Sequence, residues 1–215
     1  MKKERQLFFF LNMIYIYIFI NYQKNTKKHF INQYTQTLLK ILEIKDSYTQ
    51  QHCLRVAHYS KEIAKAMKLN KQQQNNIYYI ALLHDIGKIG ICDDILKKKE
   101  KLSEKERNIM QQHVFIGKEI SKYFDMIDGL EEGIFFHHER YDGKGYLSQI
   151  KGKDIPLVSR IIAVGDAYDA MNSNRCYRLA LCQKKIIDEL TEGCFHQFDG
   201  EIVQYMIEMI QKGEI

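Results

Sequence analysis

Proline occurs once in the 215 residues and glycine only 12 times, too few turn-forming residues for a sandwich or barrel of short strands. The five cysteines (53, 92, 176, 182 and 194) form no CxxC pair and leave one unmatched. Reduced thiols therefore fit better than a disulfide framework. No internal repeat is evident, and low complexity is limited to a weak Gln/Asn bias at 72–76. Aromatic residues are not interleaved with arginine as in single-strand nucleic-acid binders, so no nucleic-acid polymer is expected as partner. The net charge of +5 is mild. It is concentrated in runs such as Lys97-Lys98-Lys99 and reads as a solvated face, while still suiting a small anionic substrate.

What is present points to an all-α fold. With 45% hydrophobic and 27% charged residues the composition is globular. Residues 7–20, LFFFLNMIYIYIFI, are almost continuously apolar but shorter than the roughly 20 residues a bilayer span needs. Three readings stand for this stretch: a minimal membrane anchor, an apolar packing helix, or sequence upstream of a later start. No small-residue cleavage site follows, which disfavours a signal peptide. The chain thus divides into an apolar segment (1–23), a helical connector (24–45) and a main domain (46–215).

Helical spacing of apolar residues predicts helices over about 30–45, from Val56 to Met67, and over 71–85, the last stopped by Gly87. One or two helices are expected over 103–124, opened by a Ser103–Glu106 capping box, and another over 126–138. After a polar loop, Arg140 to Lys153, Pro156 marks the start of a helix at 155–171. Two more, at 179–192 and 200–212, close the chain.

Along these helices lie potential metal ligands: His52, the pair His84-Asp85, His113, the pair His137-His138, and Asp166. Taken singly, a histidine such as His52 or His113 is better explained by a hydrogen bond or exposure, and His137-His138 as a surface pair near a helix end. Asp166, in an otherwise apolar helix, needs a partner, because an unpaired buried charge is costly. Together, imidazoles and carboxylates suit iron, manganese or zinc. Two ions sharing one carboxylate would need about this many ligands.

The motifs resemble a known family. His84-Asp85-Ile86-Gly87-Lys88 looks like the HDxGK signature of HD-domain phosphohydrolases. Residues 137–146, HHERYDGKGY, are similar to the block that defines the HD-GYP branch. The stretches Asp46 to Val56, Asp166 to Met171 and Ser173 to Arg178 match further elements in the family's order, so the resemblance covers about residues 40–205.

The resemblance implies a compact HD-type helical bundle that hydrolyses cyclic di-GMP to pGpG, and in some members on to GMP, through metal-activated hydroxide at a dinuclear site. It also implies a cytoplasmic catalytic domain, at the inner membrane face if 7–20 is an anchor. By position, the implied ligands of two divalent ions, iron or manganese, are His52, His84, Asp85, His113, His137, His138 and Asp166, with Asp85 as bridge. Lys88 would contact the substrate phosphate or protonate the leaving oxygen. Arg140, Gly143, Gly145, Tyr146 and Arg178 would face substrate, the two arginines equally well serving as ion-pair residues. Asp169, three positions after Asp166 on the same helix face, would orient a ligand histidine.

The sequence also departs from the family pattern. Leu147 and Cys176 stand where the family usually has proline, which predicts altered loop stiffness. Tyr48 stands where three-metal members have glutamate, which favours two metals. No receiver, PAS or GAF domain is recognisable, leaving regulation to the N-terminal segment, a homodimer or a signalling partner. Two alternatives remain: an HD enzyme acting on another cyclic dinucleotide or nucleotide, and a non-catalytic receptor for the messenger.

Overall fold

The computed structural model describes residues 27–124, 126–174 and 179–215. The expectations for residues 7–20, Cys176 and Arg178 fall outside them. Among the described residues there are ten α-helices, two short 3-10 turns and no β-strand. In chain order the helices are α1 (Lys27–Lys45), α2 (Ser47–Ala66), α3 (Lys71–Leu83), α4 (Asp93–Leu96), α5 (Glu104–Gln111), α6 (His113–Ser121), α7 (Leu130–Phe136), α8 (Leu157–Asn172), α9 (Gln183–Glu192) and α10 (Gly200–Lys212). None is long and apolar enough to cross a membrane.

Capping fixes where the helices begin. Asp46 accepts hydrogen bonds from the Tyr48 and Thr49 amides and starts α2. Ser103 and Glu106 close the capping box at the head of α5. The weak Gln/Asn bias hides a second such box, Asn70 with Gln73, at the head of α3. Pro156 is the N-cap residue of α8 rather than its first helical residue.

Helix α2 runs through the middle of the molecule and packs on α1, α3 and α8. Its Cys53, Val56 and Ala57 join Leu38 and Leu42 of α1 and Leu82 and Leu83 of α3 in one apolar core. Its Ile63 and Ala64 join Ile161 and Val164 of α8 and Val203 and Met206 of α10 in a second. The site lies where these elements converge.

Several boundaries differ from the sequence expectation; α2 begins at Ser47, ahead of Val56, and α9 only at Gln183. Helix α3 ends at Leu83, so His84 and Asp85 lie in the turn that follows, ahead of a 3-10 turn at Ile86–Gly90. Gly87 does not stop the helix. It is there because a Cβ at this position would come within 1.8 Å of the His113 carbonyl oxygen, and the 3-10 turn packs directly on the backbone of α6. The 103–124 segment, expected as one or two helices, is two, α5 and α6, parted at Gln112. The 126–138 helix begins only at Leu130, after Gly129 in the left-handed region at φ 83°.

Candidate metal centre

Three histidines of the centre, His84, His113 and His137, sit at or beside a helix end, where the last-turn carbonyls have no intrahelical partner, while His52 lies within α2. His84 Nδ1 donates to the Ala81 carbonyl at 2.7 Å, His113 Nδ1 to Met110 at 2.8 Å, and His137 Nδ1 to Ile134 at 2.7 Å. A carbonyl can only accept, so all three rings carry their proton on Nδ1 and keep a lone pair on Nε2. Those three Nε2 atoms are buried and have no hydrogen-bond partner.

They converge on Asp85, and its two oxygens divide the set. Oδ1 lies 3.3 Å from His113 Nε2 and 4.0 Å from His137 Nε2. Oδ2 lies 3.5 Å from His84 Nε2 and 3.8 Å from His52 Nε2. Two groups of ligand atoms result, each gathered within 4.8 Å: Asp85 with His113, His137 and His138, and Asp85 with His52 and His84. Asp166 joins the second side through its Oδ1, 3.1 Å from His52 Nε2. Buried lone pairs aimed at one another around a shared carboxylate are a donor set that fits divalent cations.

Behind His52 stands Asp169, whose Oδ2 accepts from His52 Nδ1 at 2.7 Å while both its oxygens accept from Arg55, at 2.6 and 3.0 Å. This fixes the His52 ring with Nε2 toward the centre. Lys88 donates to Asp85 Oδ2 at 2.6 Å.

The electrostatics separate the two sides. Burial depresses the pKa values of His84, His113 and His137, and takes His138 down to about 3, so these rings are neutral. At His52 burial pulls the same way, but hydrogen bonds to Asp166 and Asp169 outweigh it and raise the pKa to about 9. Burial also opposes ionisation of Asp85, yet the Lys88 ammonium, with the protonated His52 nearby, holds its carboxyl well below the usual range.

Along one side of the centre runs a cleft of about 440 Å³, bounded by His137, His138, Asp166, Arg140, Glu189 and Phe198 among others. Tyr146 stands beside His138, the two rings 5.2 Å apart. Arg140 is held in a two-pronged pair with Asp142, at 3.1 and 2.9 Å. Gly143 adopts φ 76°, and Gly145 lies against Glu139.

The structure therefore gathers His52, His84, Asp85, His113, His137, His138, Asp166 and Lys88 in one place, with Asp169 behind, Tyr146 beside His138 and Arg140 at the cleft. Sequence reasoning passed over Arg55 and Glu139. Arg55 is signalled by its place one turn after His52, on the face that meets α8. Glu139 carries no comparable signal, since its partners come from a loop with no periodicity.

An HD domain family model matches residues 26–202. The cyclic di-GMP phosphodiesterase of Thermotoga maritima is 35% identical over 86% of this chain and 53% of its own length. The 3′3′-cGAMP-specific phosphodiesterase 2 of Vibrio cholerae is 34% identical over 80% of this chain and 33% of its own. The chain thus spans about half or less of the curated relatives it matches. Among solved structures, a cyclic GMP-AMP-specific phosphodiesterase of V. cholerae superposes with a TM-score of 0.64 at 17% identity, over 86% of this chain and 49% of that one, a likeness of fold.

Proposed function

For this chain, which belongs to the HD domain family and within it to the HD-GYP branch, we propose the activity of a metal-dependent phosphodiesterase that opens cyclic di-GMP to pGpG. The observation that carries this reading is the division of Asp85: one oxygen faces His113 and His137, the other His84 and His52. A carboxylate placed so would hold a cation on each side, and the donor set would suit iron or manganese. When bound there, such ions supply Lewis acidity toward a phosphate oxygen and lower the pKa of an attacking water.

The chain's own groups do the rest. The Nδ1 anchors hold the rings of His84, His113 and His137 before any ligand arrives, so little reorganisation is needed during the reaction. Lys88, 2.6 Å from Asp85 Oδ2, is placed to hold a phosphate oxygen or to give a proton to the departing ribose oxygen. The Arg140 guanidinium matches a second phosphate, and Tyr146 offers a face to the sugar-base portion. The names of the sequence relatives support a cyclic dinucleotide as the substrate class. One of them acts on 3′3′-cGAMP, so that compound is the second substrate to assay.

The test is to prepare the full chain without oxygen, measure bound iron and manganese, and follow both cyclic dinucleotides by chromatography. We expect close to two metals per chain and conversion of cyclic di-GMP to pGpG. Folded, metal-loaded protein that converts neither compound would sink the proposal.

A further inference from the structure

Glu139 directly follows His138 and is only 4% exposed, yet no cation neutralises it among its hydrogen-bond partners. Its Oε1 accepts from two successive amides of a distant loop, Ser148 N at 2.6 Å and Gln149 N at 3.2 Å. Its Oε2 is buried with no hydrogen-bond partner. The same loop closes on Glu139 from the other side. A Cβ on Gly145 would lie 2.3 Å from Oε2, 2.9 Å from the Glu139 Cα and 3.1 Å from the Arg140 amide nitrogen.

Burying a carboxylate with one oxygen unpaired is costly, and a turn that only had to exist could leave its amides in water. The geometry shows what the burial achieves. Between the two contact points stands Tyr146, whose ring lies 5.2 Å from that of His138. Gln149 is held at φ 54°, a left-handed conformation that side-chain-bearing residues seldom adopt, by the carboxylate that takes its amide. One short stretch of chain, His137 to Glu139, thus supplies two donors to the centre and the fastening for the wall beside them.

We propose that Glu139 is a positioning residue: its buried carboxylate latches the 143–149 loop so that Tyr146 stands beside His138 as a wall for the part of the dinucleotide beyond the reacting phosphate. This rests on the phosphodiesterase reading for its substrate, although not for the latch. Glu139 acts through Tyr146, so its loss weakens substrate capture more than turnover.

The test uses the full, metal-loaded chain and the substitutions Glu139→Ala, Glu139→Gln and Tyr146→Ala. Losing hydrogen bonds to a charged acceptor predicts a KM for cyclic di-GMP about tenfold higher in Glu139→Ala, with kcat lowered less than about threefold. Bound metal should be unchanged, and amide exchange at Ser148 and Gln149 should accelerate at least about tenfold. Glu139→Gln keeps an oxygen that accepts both amides and should recover most of the KM. Adding Glu139→Ala to Tyr146→Ala should cost less than about a further twofold, because both act through one wall. Should Glu139→Ala fail to fold, Glu139→Asp keeps the charge but shortens the reach and carries the same expectation. An unchanged KM overturns the proposal. So does metal loss in step with kcat, which would make Glu139 a support for His138 alone. Unchanged exchange at Ser148 and Gln149 overturns the latch whatever the activity. A wild type that converts no cyclic dinucleotide sinks the phosphodiesterase reading, and the exchange rates still decide the latch.

Discussion

The metal centre, a floor of helix ends, and the loop beside it, a wall, are built on different principles. The floor is made by helix ends: His84, His113 and His137 each donate Nδ1 to a carbonyl three residues back, and the shape of the helix end itself aims Nε2 at Asp85. The wall, from Arg140 to Lys153, has no such repeat. It turns at Gly143, Gln149 and Gly152, all with positive φ. It is tied down by long-range bonds, from Tyr141 N to the Gln197 carbonyl, Asp142 N to His196, and Ser148 and Gln149 to Glu139. Donor geometry set by helix ends tolerates change elsewhere, whereas a wall held by a few specific contacts can be reshaped without touching the donors. That separation gives one scaffold a fixed centre and an adjustable substrate face.

The largest expected effect breaks the floor at the point its two halves share. Asp85→Ala removes a ligand from both donor groups at once, whereas His113→Ala removes one from a single group. Asp85→Ala should abolish metal retention on both sides and lower turnover by about three orders of magnitude or more, with helical content kept. His113→Ala should leave roughly half the metal bound. The measurement is metal content by elemental analysis beside circular dichroism and turnover. Equal metal loss in the two variants would contradict a shared carboxylate between separable groups.

Next in size is the pH response of the metal-free protein, where the two sides of the floor pull in opposite directions. His84, His113, His137 and His138 have folded pKa values below the ordinary imidazole value of about 6.5. The unfolded chain therefore binds more protons below that pH, and stability falls as pH drops from about 6.5 toward His138's value of about 3. His52 is the reverse case. Its folded pKa, raised to about 9, stabilises fully below about 6.5, and that contribution is lost as pH rises through 9. Four rings against one predict a steeper loss on the acid side, read as the melting temperature of chelator-treated protein between pH 5 and 9. A melting temperature that climbs as the pH falls from 6.5 to 5 would show that the rings are not held neutral.

The floor was far more legible in the sequence than the wall, and the boundaries show why. The HDIGK and HHER stretches and the Ser103–Glu106 box are local signals, and each lies in or beside a helix. The end of α3 at Leu83 was missed because Gly87 looked like a stop. Its real constraint is a close approach to His113, a contact between segments 26 positions apart that no local pattern reports. The sequence allowed two helices over 103–124, but the position of the break, Gln112, has no local signal for a similar reason. Residues on both sides are good helix formers, and the break shows only in the fold, where it frees the Met110 carbonyl for the His113 ring. Glu139, which ties down the wall, was unreadable as part of the site because it is defined by its partners Ser148 and Gln149 in the loop. Arg55, behind His52, by contrast carries a local signal, its place one turn after His52, although its partner Asp169 is 114 positions away.

Arg140 supplies the smallest and sharpest test of the comparison, because it stands at the cleft yet is paired within the wall. Its guanidinium meets Asp142 with both prongs, with side chains 33% and 14% exposed. A pair this open contributes about 1 kcal/mol or less to stability, so Arg140→Ala and Asp142→Ala should each shift the melting temperature by only a few degrees. Their kinetics should part. If the guanidinium reaches a phosphate of the substrate, Arg140→Ala should raise KM by roughly three- to tenfold, while Asp142→Ala, which leaves the cation in the cleft, should keep KM within about twofold. Arg140→Lys should behave like the alanine variant more than like wild type, since an ammonium cannot reproduce the planar fork. Equal KM increases for Arg140→Ala and Asp142→Ala would assign the arginine to holding the loop, and would leave Tyr146 and its latch as the substrate-facing part of the wall.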